Sequence, residues 1–153
     1  MLKQYLPKFE DLEFRRQLMS DEVTMSYNRA WGGTIDFPKS SWSSWYDVWI
    51  QNPGNLRFYR YLQNERDEFV GEIAYHSDGK RYMADVIVLA RYRGRGYGRE
   101  GLRLLCAAAK ANGIECLYDE IAADNPAIRL FRKLGFAEVE RTEATLLLKK
   151  TLA

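Results

Sequence analysis

The chain has 153 residues, 46% of them hydrophobic and 29% charged, a size and balance at which a core forms without disulfides or metals. Its 23 basic and 21 acidic side chains leave a net charge of +2, too small an excess to point to nucleic acid or an anionic membrane as partner. Cys106, Cys116 and the lone His76 make neither a zinc ligand set nor a disulfide framework, and no apolar run has the length of a signal core or a membrane span.

The expectation is a cytoplasmic chain with no metal. With no repeat, low-complexity tract or linker, 1–153 reads as one domain. Residues 2–6 form a short strand stopped by Pro7, and 9–27 read as helical, with acids in the first turn where the helix dipole favours them. Trp31-Gly32-Gly33 breaks the pattern. A second helix over 41–50 stacks Trp42, Trp45, Tyr46 and Trp49 at helical spacing, and Asn52-Pro53-Gly54 ends it. That stripe suits core packing, with a wall of an acceptor pocket as the functional alternative.

Strands follow at 56–62 and 68–75, rich in aromatic and β-branched residues. A tight turn at Asp78-Gly79 leads into a strand over 83–89. That strand runs directly into Arg91-Tyr92-Arg93-Gly94-Arg95-Gly96-Tyr97-Gly98-Arg99 and then a helix with Leu102, Leu105, Cys106 and Ala109 on one face. A strand over 116–121, a helix introduced by Asp124-Asn125-Pro126 and closed by Gly135, and strands near 137–141 and 144–149 complete a mixed α/β pattern.

The loop from Arg93 to Arg99 carries the chemistry. Glycines at 94, 96 and 98 let the backbone approach a ligand and turn successive N–H groups into one concavity, to which the following helix adds its positive end. Such a site suits a phosphate or pyrophosphate, with Arg91, Arg93, Arg95 and Arg99 to neutralise it. Arg99-Glu100 after the last glycine excludes a P-loop, and the glycine spacing differs from the dinucleotide fingerprint.

Arg93-Gly94-Arg95-Gly96-Tyr97-Gly98, with Val86-Ile87-Val88 leading in, resembles the acetyl-CoA loop of the GCN5-related N-acetyltransferase (GNAT) family. Asn125 followed by a helix ending Lys133-Leu134-Gly135-Phe136 is similar to the family's late segment, in the expected order. The resemblance covers roughly 69–136. It implies a GNAT-like, mainly antiparallel sheet flanked by helices, acetyl-CoA as acetyl donor, and a small-molecule or peptide amine as acceptor, with a homodimer as a family-level expectation. It further implies that the backbone of Val86, Ile87 and Val88 pairs with the pantetheine arm, that the Val88 N–H polarises the thioester, and that amides from Gly94 to Arg99 hold the pyrophosphate. Asn125 contacts the pantetheine side. Because the segment from Asn125 to Phe131 is one residue short of the usual, either Asp124 or Asn125 takes the Asn position.

Attack by an amine whose ordinary pKa is about 10 needs a base. Glu120 falls where some family members place one, with Glu72 and Asp85 as alternatives. The position at which the family often carries a proton-donating tyrosine holds Phe131, leaving water or a tyrosine such as Tyr118 to protonate the thiolate. Two other readings follow from the same residues: a non-catalytic acyl-CoA-binding module, suggested by Phe131, and an RNA-binding module using the arginine–glycine loop. The loop is too short and too firmly set between strand and helix for the second.

Overall fold

The computed structural model describes residues 1–152 and places seven strands in one sheet. These are β1 (Lys3–Tyr5), β2 (Arg57–Gln63), β3 (Phe69–Ser77), β4 (Tyr82–Val88), β5 (Cys116–Ala122), β6 (Ala137–Arg141) and β7 (Thr145–Thr151), in the order β1-β2-β3-β4-β5-β7-β6. All neighbouring pairs are antiparallel except β4–β5, which is parallel. Helices α1 (Leu12–Ser20), α2 (Trp42–Tyr46), α3 (Tyr97–Ala111) and α4 (Ile128–Lys133) flank the sheet. The mixed, mainly antiparallel α/β architecture is the expected one.

The alternation of side chains along a strand divides the packing between two faces. Tyr59, Tyr61 and Ala74 meet an aromatic layer containing Phe14, Trp45 and Trp49. Leu62, Ile73 and Val86 instead meet α3, whose Leu102, Leu105 and Ala109 are fully buried. Gly101 permits that close approach: a Cβ there would lie 2.8 Å from Leu62 Cδ1 and 3.4 Å from Ile73 Cγ2.

The first half departs from the expected helices. Instead of one helix over 9–27 there is a 3-10 turn (Phe9–Asp11), then α1, then a separate 3-10 segment (Thr24–Trp31). Asp21 is extended, and its carboxylate accepts bonds from the Thr24 backbone amide, at 3.0 Å, and from the Thr24 hydroxyl. That local bond competes with helix continuation and ends α1. The helix expected over 41–50 is likewise a 3-10 turn (Lys39–Ser41), α2 and a π-helical turn (Asp47–Gln51). The tryptophan stripe is packing: Trp42 lies with Leu12 and Phe37, while Trp45 and Trp49 stack and both meet Tyr59 edge-on.

β4 and β5 are in register only at Met83 and Tyr118. Beyond that pair they part, and the gap between their C-terminal halves sets the position of the site.

Candidate active site

A cleft of about 500 Å³ occupies this gap. Asp85–Val88 of β4 and Asp119–Ala122 of β5 border it. Because consecutive residues of a strand point to opposite faces, a lining drawn from every position of both stretches means that the cleft passes through the sheet. Gly94, Gly96, Tyr97, Gly98, Leu130 and Phe131 border it at the α3 and α4 end, and Thr24, Met25, Tyr27, Asn28 and Trp31 wall it from the 3-10 segment.

The edge of β4 is equipped for a strand-like ligand. The Leu89 amide donates to the Val70 carbonyl at 2.8 Å, so Ile87, two positions back, also turns its backbone toward β3. Val86 and Val88 therefore turn theirs toward the cleft. Of the three strand residues named from sequence, these two offer free backbone groups, and Ile87 contributes only its side chain.

The phosphate cradle is visible in the loop geometry. Gly94 and Gly96 have φ of +79° and +82°, conformations that other residues rarely adopt, and a Cβ at either would point into open space. α3 starts at Tyr97 with no side chain capping its first amides, although the helix runs 15 residues. Uncapped N–H groups at a helix start bordering a cleft are an anion site, and they fit the diphosphate of acetyl-CoA. Arg91 and Arg95 are exposed beside the cradle and lie over the Tyr92 ring, at 5.1 and 5.8 Å from its centroid. Arg99 is exposed on the first turn of α3, and neither it nor Arg95 borders the cleft. Arg93 does border the cleft, but its guanidinium is tied to the 3-10 segment: its Nη2 donates to the Thr24 carbonyl at 2.9 Å, and its Nη1 reaches toward the Val23 carbonyl at 3.5 Å.

Asn125 lines the cleft, whereas Asp124 faces a neighbouring depression with Glu143 and Ala144. The Asn125 side-chain oxygen accepts from the Ala127 amide at 2.9 Å, bracing the entry to α4 and leaving its NH₂ for a ligand. Asn125 is therefore the better match to the family's Asn position.

The acidic residues separate into two groups. Asp85, Asp119 and Glu120 line the cleft, whereas Glu72 does not. Glu72 is buried behind it and accepts a 2.5 Å bond from the Tyr59 hydroxyl. Burial raises the Glu72 carboxyl, against the opposing influence of the Arg15 guanidinium and the Tyr59 bond. Asp85 is exposed to solvent at the cleft, although protein crowds round its carboxyl. That enclosure, and then the charge of Glu72, raises its carboxyl, again with Arg15 opposing. Asp119 is 7% exposed, and burial followed by Asp85's charge raises it well above the ordinary range, opposed by the Glu120 amide.

Sequence reasoning missed Asp119 and the whole 3-10 wall. An acid between Leu117 and Ile121, where the strand alternation calls for an apolar residue, is the signal that could have found Asp119. Nothing in the sequence placed Trp31, in place of the stripe at 42–49, beside the cleft. Among the described residues there is no group of three or more His, Cys, Asp or Glu side chains able to hold a metal ion, and no helix is long and apolar enough to cross a membrane.

Known proteins agree with this geometry. The pattern of the Acetyltransferase (GNAT) family matches residues 17–136. An N-acetyltransferase of Bacillus subtilis, YobR, itself uncharacterized, is 32% identical over 63 residues; the match spans 40% of this chain and only 26% of that protein. Among solved structures, the spermidine N-acetyltransferase of Vibrio cholerae in complex with CoA and spermine superposes with a TM-score of 0.79 at 17% identity, over 99% of this chain and 95% of its own. The yncA protein of Salmonella typhimurium, solved with its cofactor acetyl-CoA, gives 0.79 at 19% identity, over 100% and 95%. With the family pattern spanning most of the chain and the phosphate cradle and open β4 edge in place, the protein belongs to the GNAT acetyltransferase family.

Proposed function

We propose that the cleft transfers the acetyl group of acetyl-CoA directly to a primary amine, with Glu120 as the base. The observation that carries this reading is that Glu120 lines the same cleft as the open Val86–Val88 edge and the glycine cradle. Bound acetyl-CoA supplies the acetyl group as an activated thioester. The amides from Gly94 to Arg99 hold its diphosphate, the backbone of Val86 and Val88 aligns its arm, and the Val88 N–H donates to the thioester carbonyl. Asn125 holds the arm from the opposite side.

The acceptor enters from the wall made by Tyr27, Asn28 and Trp31. Glu120 shares a strand face with Tyr118, which pairs with Met83, and therefore lies on the same side of the sheet as Asp85. A free alkylamine is protonated at neutral pH; these two carboxyls attract it, and Glu120 passes its extra proton to solvent before the neutral amine attacks. Their acidic character favours a cationic acceptor, the kind named for the Vibrio cholerae protein. Cys106 and Cys116 do not border the cleft, which supports direct transfer over an acetyl-cysteine route.

A panel of mono-, di- and polyamines, assayed by release of the CoA thiol, tests the reading. Amine-dependent, saturable release supports it. A second reading, binding without transfer, is favoured by Phe131, whose ring packs against Phe136 at 5.1 Å and carries no hydroxyl. It predicts acetyl-CoA binding and no release with any amine.

A further inference from the structure

Position 119 is surrounded as though for an apolar side chain. It alternates on β5 with the buried Leu117 and Ile121, both part of the main core with Phe131. Its register partner on β7 is Leu148, fully buried. A carboxyl stands there instead, 7% exposed, in no ion pair among the described residues and bordering the cleft. Burying an acid without a cation is costly, so a carboxyl at such a position invites a chemical role.

The strand alternation gives that role a location. Glu120 and Asp85 lie on one face of the sheet, where the amine enters. Asp119 lies on the other, with Phe131 and the start of α3, where the cofactor's arm would run. A proton is needed there, because the thiolate departs on that side and the phenyl ring of Phe131 has none to give. We propose that Asp119 is the proton donor to the departing thiol of CoA, a catalytic residue on β5 in place of the missing tyrosine on α4. This rests on the transfer reading above.

The step balances without another reactant. The amine nitrogen forms its bond to the acetyl carbon, and the carbon–sulfur bond breaks. The proton from nitrogen goes to Glu120, and the Asp119 proton goes to sulfur. The proton on Glu120 then returns through solvent to Asp119, so the enzyme is unchanged. The groups around Asp119, on its own face and across the gap in the sheet, keep it protonated between turnovers. Asp85 from β4 and Glu120 beside it are acids, Leu148 from β7 and Phe131 from α4 are apolar, and only the Glu120 backbone amide favours the ionised form.

Hydroxylamine separates this proton from the acceptor question, since it attacks thioesters as a neutral nucleophile and needs no base. Thiol release from saturating acetyl-CoA is followed with hydroxylamine in the full chain, in Asp119→Asn, and in Asp119→Asn with Phe131→Tyr. Acetyl-CoA affinity and melting temperature are measured on each. The single variant should bind acetyl-CoA as the wild type does, melt no lower, and release thiol roughly 100-fold more slowly. The added tyrosine should restore part of that loss. The wild-type rate should fall as pH rises through Asp119's raised proton affinity, and the Asn variant should lack that fall. Release at the wild-type rate from Asp119→Asn overturns the proposal, as does a slowed rate accompanied by a matching collapse in melting temperature. Wild-type protein that binds acetyl-CoA without accelerating release overturns the transfer reading first, and the role of Asp119 with it.

Discussion

Arg93 binds the carbonyl of Thr24 through its guanidinium, at 2.9 Å, tying the glycine loop to the 3-10 wall of the cleft. The Ala90 amide reinforces the tie by donating to the Thr24 hydroxyl at 2.8 Å. An arginine expected to neutralise phosphate is thus mainly a clasp between the glycine loop and the 3-10 segment.

Replacing Arg93 by Ala should therefore weaken both sides together. Charge-assisted hydrogen bonds contribute about 1.5–3 kcal/mol each, less where solvent reaches them, as it does here. We expect a loss of about 1–2 kcal/mol in stability, together with faster amide exchange over 24–31. Denaturant unfolding and hydrogen exchange check this. A variant with unaltered exchange in that segment, and only weaker acetyl-CoA binding, would return Arg93 to the role of phosphate ligand.

Gly96→Glu should abolish acetyl-CoA binding while the sheet stays folded. The position has φ of +82°, which a side chain strains by about 1 kcal/mol, and a carboxylate there would stand among the amides of the cradle. Calorimetry beside circular dichroism distinguishes lost binding from lost fold.

Much of this site could be read in the sequence, and the rest could not, for local reasons. Gly94 and Gly96 announce themselves because few other residues take their conformation, whereas Asn125-Pro126 marks only the approach to α4, which starts two residues later at Ile128 with Ala127 before it and no side-chain cap. β6, Ala137–Arg141, lies where the sequence pattern near 137–141 puts a strand. The break at Asp21 is not legible because Asp is tolerated within a helix, and its bond to Thr24 is decided only when that segment docks on the loop at Ala90 and Arg93. Glu72 reads as a candidate base because strand parity cannot tell an acid in a cleft from one under an aromatic layer. Tyr59, thirteen residues earlier in sequence, settles which it is.

Asp119→Leu should raise stability, and by more at higher pH. The folded protein holds the Asp119 proton more tightly than the unfolded chain, whose Asp titrates near 3.9. Between those two values the native state binds more protons than the unfolded state, so wild-type stability falls as pH rises. The leucine variant lacks that contribution, and the gap between the two melting curves should widen from about pH 4 upward. Thermal melts across pH check this, and a gap independent of pH would contradict it.

Glu120→Gln should leave acetyl-CoA affinity intact and slow amine acetylation by roughly 10²–10⁴-fold at neutral pH. Hydroxylamine, which needs no base, should be much less affected. Steady-state rates with both nucleophiles check the assignment, and an equal loss with each would remove Glu120 from the proton path.

Calorimetric titration of acetyl-CoA into the folded protein tests the central claim most directly. The account predicts saturable binding at one molecule per chain, with no binding by Gly96→Glu. Folded wild-type protein that takes up no acetyl-CoA would contradict it.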